Sequence, residues 1–133
     1  DDYKLHANMC FPDVRLRGFV EIRNHDCVGG GLEYAIPAIY KGIMYNTDAQ
    51  DAIKSLLKPF THNDINEFRF IIPKLGIGAK IKGYKVKDIA LEIQKIAYQS
   101  LKSELDVDAD YITPIMKLTK QGMVPADITN PLR

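Results

Sequence analysis

Val14-Arg15-Leu16-Arg17-Gly18-Phe19-Val20-Glu21-Ile22-Arg23 alternates between apolar and charged residues, with Gly18 on the apolar parity and Phe19 on the polar one. Successive side chains of a strand point to opposite faces, so this stretch predicts one strand over about 14–23. Val14, Leu16, Val20 and Ile22 form its apolar back, and Arg15, Arg17, Glu21 and Arg23 its charged front. Upstream, the chain opens on Asp1-Asp2-Tyr3 without Met and runs almost at once into a dense motif, as a piece of a longer protein would. Downstream, Cys27-Val28-Gly29-Gly30-Gly31 ends the strand, because consecutive glycines suit a turn.

Beyond Gly31 the period becomes helical. A first helix is expected over about 32–45, with Pro37 marking its true start, and a second from Thr47-Asp48 to about Lys58. Thr61 and Asp64 have the spacing of an N-cap pair and open a third helix ending before Pro73. Phe70-Ile71-Ile72 reads equally as a short strand, since so short a run has no resolvable period. Residues 74–84 read as a Gly- and Lys-rich connection. The longest helix is expected over about 86–105, with Val86, Ile89, Ala90, Ile93, Ile96, Ala97 and Leu101 as its core stripe. A last helix covers about 110–121, closed by Gly122 at C′, and Pro125 starts a final short turn. The expectation is an α+β single domain over 1–133, with residues 1–31 carrying the strand and Gly turn and 32–133 mainly helical. A lone strand cannot pair its backbone groups, so one strand followed by about five helices requires a sheet supplied from elsewhere.

Composition narrows the function classes. Of 133 residues, 46% are hydrophobic and 26% charged, the balance of a globular domain, with no Trp, seven Tyr and five Phe. Eighteen basic residues against seventeen acidic ones give a net charge of +1, too little for a general nucleic-acid binder. Lys80, Lys82, Lys85 and Lys87 are locally basic, but their Gly and Tyr spacing reads as a solvated loop. No stretch approaches the ~20 apolar residues needed to cross a bilayer, and the start does not read as a signal peptide. Cys10 and Cys27 lack disulfide-framework or metal-finger spacing, so reduced thiols and a cytoplasmic location are the expectation.

The charged front carries the chemistry. Glu21 and Arg23 are two residues apart, ~6.6 Å between Cα atoms at ~3.3 Å per residue. That spacing lets a carboxylate hold a hard cation such as Mg²⁺ while the guanidinium fork reaches an oxygen of the same phosphate. Phosphoryl transfer needs both, because charge on the transferring group must be neutralised. An antiparallel strand with a solvated front shows the same alternation, so parity alone fixes orientation and leaves the chemistry open.

His6-Ala7-Asn8-Met9-Cys10-Phe11-Pro12-Asp13-Val14-Arg15-Leu16-Arg17-Gly18-Phe19-Val20-Glu21-Ile22-Arg23 resembles a signature of glutamate–cysteine ligases of the plant and proteobacterial type. There a His, two hydroxyl residues and Leu precede Phe-Pro-Glu-Val-Arg-Leu-Lys, an aromatic and Glu-x-Arg. Ile36-Pro37-Ala38-Ile39-Tyr40-Lys41-Gly42-Ile43-Met44-Tyr45 is similar to the family's Leu-Pro-Ala-aromatic-aromatic-x-Gly-Leu-Leu-Tyr helix. Ile72-Pro73-Lys74-Leu75-Gly76-Ile77 and Gln121-Gly122-Met123-Val124-Pro125-Ala126 follow in family order, so the resemblance spans nearly the whole chain.

The resemblance implies a fragment of a glutamine-synthetase-like fold, whose curved antiparallel sheet makes a funnel lined by charged residues. It implies ATP-dependent phosphorylation of the glutamate γ-carboxylate, followed by attack of the cysteine amine to give γ-glutamylcysteine, the first step of glutathione biosynthesis. Glu21 matches an active-site Mg²⁺ ligand, and Arg23 matches a catalytic arginine on the ATP γ-phosphate. Arg15 and Arg17 match basic positions for a substrate carboxylate or phosphate. Asn24-His25-Asp26 stands where the family has Gly-Ala-Asp, and Asn8-Met9 replaces the hydroxyl pair. Sister glutamate–amine ligases share Glu-x-Arg, so the acceptor amine stays open. Family members are longer, with further acidic metal ligands in their N-terminal portion; the chain alone is therefore expected not to turn over, and that remainder to complete its sheet. The alternative from another class is a catalytically silent helical interaction module on the same scaffold.

The remaining candidates read as structural. His6 suits a hydrogen-bonding position at the strand entry, His25 and His62 exposed loop or cap positions, and Asp26 either a turn or a hydrogen-bonding partner of a site residue. No His/Asn arrangement accompanies either cysteine. Gly29-Gly30-Gly31 lacks the residues of a phosphate loop or dinucleotide fingerprint. Tyr40 and Tyr45 are expected to pack the first helix, with Tyr40 the one that could line a site.

Overall fold

In the computed structural model, residues 12–129 and Asp2 are described; His6, Asn8, Met9 and Cys10 lie outside them. The expected α+β class is what the chain adopts: two small antiparallel hairpins and six helices among the described residues. Strands β1 (Val14–Leu16) and β2 (Val20–Ile22) are followed by helices α1 (Ala35–Met44), α2 (Thr47–Leu57) and α3 (His62–Leu75). Strands β3 (Lys80–Ile81) and β4 (Tyr84–Lys85) then lead into α4 (Val86–Ser103), α5 (Ile112–Gln121) and α6 (Pro125–Thr129).

The predicted single strand over 14–23 is corrected to a hairpin. Gly18 sits at φ 79°, a left-handed conformation that a glycine adopts without steric cost, and it folds Val20–Ile22 back onto Val14–Leu16. The alternation survives the fold because residues directly opposite in an antiparallel pair share a face.

Local signals explain the helices. Pro37 falls in the first turn of α1, where its missing N–H costs nothing. Asn46 caps α2 by accepting from the Ala49 amide at 2.9 Å. Thr61 and Asp64 form a reciprocal capping box on α3, as their spacing predicts. That helix does not stop before Pro73 but continues to Leu75, and Phe70-Ile71-Ile72 is helical. Proline so close to the C-terminal end removes a single ladder bond, and the Gly76 amide still reaches the Ile72 carbonyl. The connection at 74–84 contains the β3–β4 hairpin, closed by Lys82 and Gly83 at φ 49° and 85°, the pattern of a tight hairpin turn. Helix α5 begins two residues later than predicted, because Val107–Tyr111 forms a 3₁₀ turn. Gly122 ends it at φ 75°.

The core lies where α1, α4, α5 and the 3₁₀ turn meet: Ala38, Ala97, Leu101, Ala109 and Ile112, flanked by Ile39, Ile43, Tyr98, Ile115 and Met116. Alanine and glycine at the α1–α4 crossing bring the two backbones together; a Cβ at Gly42 would collide with the Ala97 carbonyl. A smaller cluster of Phe68, Ala79 and Ile81 joins α3 and the β3–β4 hairpin to the start of α4 through Val86 and Ile89. Of the predicted α4 stripe, Ala97 and Leu101 are buried and the other five are partly buried, while polar Gln94 and Ser100 are buried beside them; Gln94 donates to the Thr119 hydroxyl at 3.0 Å. That hydroxyl in turn donates to the Ile115 carbonyl at 2.9 Å.

Candidate functional site

The β1–β2 hairpin gathers the residues singled out for chemistry. Register pairs Arg15 with Glu21, while Val14 faces Ile22 and Leu16 faces Val20 on the opposite side. The Arg15 guanidinium grips the Glu21 carboxylate at two points, Nε to Oε2 and Nη2 to Oε1, the second at 3.3 Å. This contact, with the added charges of Arg15, Arg23 and Arg17, holds the Glu21 carboxyl below the usual carboxylate range. Arg15, Arg23 and Arg17 thus each act electrostatically on Glu21, three cations on one anion.

Among the described residues no group of three or more His, Cys, Asp or Glu could hold a metal ion. Glu21 is the one carboxylate of the four, and its two oxygens already accept from Arg15. The set does not make a divalent-cation site alone; Glu21 could contribute ligand oxygens only to a site completed by other carboxylates and after loosening its grip on Arg15.

The base of the hairpin is held from two sides. The Arg23 amide donates to the Asp13 carbonyl at 2.8 Å, and the Asp13 carboxylate is ion-paired with Arg69 on α3. The Tyr40 hydroxyl of α1 donates to Asn24 Oδ1 at 3.2 Å, and the His25 ring lies 5.8 Å from the Tyr40 ring. Burial pushes the Tyr40 hydroxyl above its ordinary pKa. Sequence reasoning missed Arg69 entirely: it lies 56 positions from Asp13 in the middle of a helix, where no period marks it.

An open cleft of about 690 Å³ lies between the hairpin and α1, lined by Phe19, Ile22, Pro37, Tyr40, Met44 and Tyr45 among others. None of Arg15, Arg17, Glu21 and Arg23 lines it, because Val20 and Ile22 present the apolar side of the hairpin there. Tyr40 therefore both packs and lines. His25, Asp26 and Cys27 are exposed in the following loop, and His62 is exposed as the first residue of α3. No helix of the described residues is long and apolar enough to cross a membrane.

Comparison with known proteins agrees with the motif reading. The sequence model of glutamate-cysteine ligase family 2 matches residues 1–130. A chloroplastic glutamate–cysteine ligase of Arabidopsis thaliana is 25% identical over 127 residues, covering 96% of this chain and 24% of that protein. The chloroplastic enzyme of Solanum lycopersicum is 23% identical over the same length and coverage. Glutamate–cysteine ligase A of Oryza sativa subsp. indica is 23% identical, with 26% of its length covered. The chain spans about a quarter of the length of these curated relatives.

Proposed function

The chain belongs to glutamate-cysteine ligase family 2, and on that footing we propose that it supplies one wall of the active site of an ATP-dependent ligase joining the glutamate γ-carboxylate to the cysteine amine. The observation that carries this is the in-register hairpin placing Glu21 opposite Arg15, within electrostatic reach of Arg17 and Arg23, inside the family's motif. A γ-carboxylate oxygen attacks the γ-phosphorus of ATP, ADP leaves, and the amine then displaces phosphate from the acyl phosphate to form the amide. Arg23 binds the γ-phosphate oxygens through its fork and neutralises charge that builds on them. Arg17 offers a second cation to a substrate carboxylate or phosphate. Mg²⁺ belongs to the same reading: Glu21 would be one of its ligands, the others coming from carboxylates outside this chain. The remainder of the ligase completes the sheet around the charged front, and the reaction takes place in the cytoplasm.

The test is release of phosphate from ATP by the native gene product with glutamate and either cysteine or other amines. Stimulation by cysteine is expected, and Arg23→Lys, which keeps the charge but loses the fork, should lower kcat by roughly 10²-fold. Stimulation by a different amine would make the protein a sister ligase. No stimulation by any amine would favour the silent interaction module, a reading for which the engagement of Glu21 by Arg15 speaks.

A further inference from the structure

Arg23 is fixed at its backbone by a chain of contacts that starts on a distant helix. The Arg69 guanidinium on α3 is ion-paired with the Asp13 carboxylate, and the Asp13 carbonyl accepts from the Arg23 amide at 2.8 Å. On the other flank, the next residue, Asn24, is held by the Tyr40 hydroxyl of α1. Both fastenings act at the open base of the β1–β2 ribbon, away from its Gly18 turn. A two-stranded ribbon is marginal by itself, and the apolar side of this one is largely exposed, with Val14 at 52%, Leu16 at 79% and Val20 at 62%. Among the described residues, packing of that side therefore does little to set the direction of the ribbon, and the fastenings at its base do more. The geometry points to Arg69 as a positioning residue for the proposed reaction: by holding Asp13 it fixes the rung from which the Arg23 side chain is aimed.

The pair is exposed, at 58% and 44% for the two side chains, so it adds little to global stability. Its effect should appear in local order and in turnover, since a displacement of about 1 Å at a phosphate-binding group costs up to ~10²-fold in rate. The inference rests on the ligase reading, and the experiment separates the two. Amide exchange is followed on the 133-residue chain for wild type, Arg69→Ala and the charge swap Asp13→Arg/Arg69→Asp. Exchange of the Arg23 amide should rise several-fold in Arg69→Ala, with amides of α4 unchanged, and return towards wild type in the swap. In the phosphate-release assay of the native gene product, Arg69→Ala should lower kcat by about tenfold, with most of it recovered by the swap. Unchanged exchange at Arg23, a swap no better than the single variant, or wild-type kcat in Arg69→Ala would each overturn the positioning role while the ligase reading stands. A wild-type product without amine-stimulated phosphate release would overturn the ligase reading, and with it the reason for aiming Arg23.

Discussion

The helical body and the β1–β2 hairpin bury their side chains in opposite ways. In the body, Ala97, Ala109 and Ile112 are at 0% exposure and Leu101 at 2%, enclosed by α1, α4, α5 and the 3₁₀ turn. In the hairpin most apolar residues face solvent or an open cleft, and the charged pair is partly buried, with Arg15 at 14% and Glu21 at 29% side-chain exposure. Burial of a large aliphatic side chain contributes about 1.5–3 kcal/mol, so the body has its own driving force and the hairpin has little. The hairpin keeps its form through a glycine turn, a cross-strand ion pair and two fastenings to the body. A charged face is thereby presented by an element whose apolar side is left open, which is the arrangement that the proposed role as one wall of a larger site calls for.

The largest effect expected from this contrast lies in the body. Leu101→Ala removes a fully buried side chain from the meeting point of α1, α4, α5 and the 3₁₀ turn and should destabilise the chain by about 2–5 kcal/mol, read as a shift of the urea midpoint. A loss below about 1 kcal/mol would mean that α1, α4 and α5 collapse around the gap, and the body would then be less tightly packed than its exposures state.

How far the two regions could be read from sequence follows the same divide. The body was legible because its signals are local: Thr61 and Asp64 cap within one turn, Gly122 stops a helix at φ 75°, and the α4 stripe repeats at helical spacing. The front face of the hairpin was legible too, as parity is preserved in an antiparallel pair. That Gly18 makes it a pair was not, because glycine fits both an interrupted strand and a turn, and the choice depends on what the strand packs against. Phe70-Ile71-Ile72 was undecidable in so short a window, and the helix set by the Thr61 cap decided it. The Lys82-Gly83 turn left half a signal, since Gly83 suits positive φ and Lys82 does not, and each strand of that hairpin is only two residues long. Arg69 and Asp13 left none, since an ion pair between a strand entry and a mid-helix position is a product of the tertiary fold.

A smaller effect tests helix α3, which carries Arg69. The Thr61 hydroxyl, then the Thr61 amide, then Lys82 hold the Asp64 carboxyl down to about 2 from an ordinary 3.8. A carboxylate whose folded pKa is depressed stabilises the fold above its unfolded pKa and loses that contribution as pH falls through its folded one. The cap should therefore be at full strength above about pH 4 and fade towards pH 2. Thermal midpoints of wild type and Asp64→Asn should differ at neutral pH and converge across that window; a difference that stays constant down to pH 2 would assign the effect to something other than the charge.

The smallest effect expected is the most informative about the hairpin. Leu16 is 79% exposed and pairs across the ribbon with Val20, itself 62% exposed, so Leu16→Ala removes atoms that already sit in water. Exposed substitutions away from caps, ion pairs and core usually stay within about 0.5 kcal/mol, and that is the expectation for the urea midpoint of this chain. A loss on the scale of Leu101→Ala would show that something within the chain covers the apolar side of the hairpin, and the contrast between the two regions would then disappear. If the loss is small here but reaches about 2 kcal/mol in the native gene product, the covering surface comes from outside these residues, and a side chain that contributes little to this chain is one that such a surface buries.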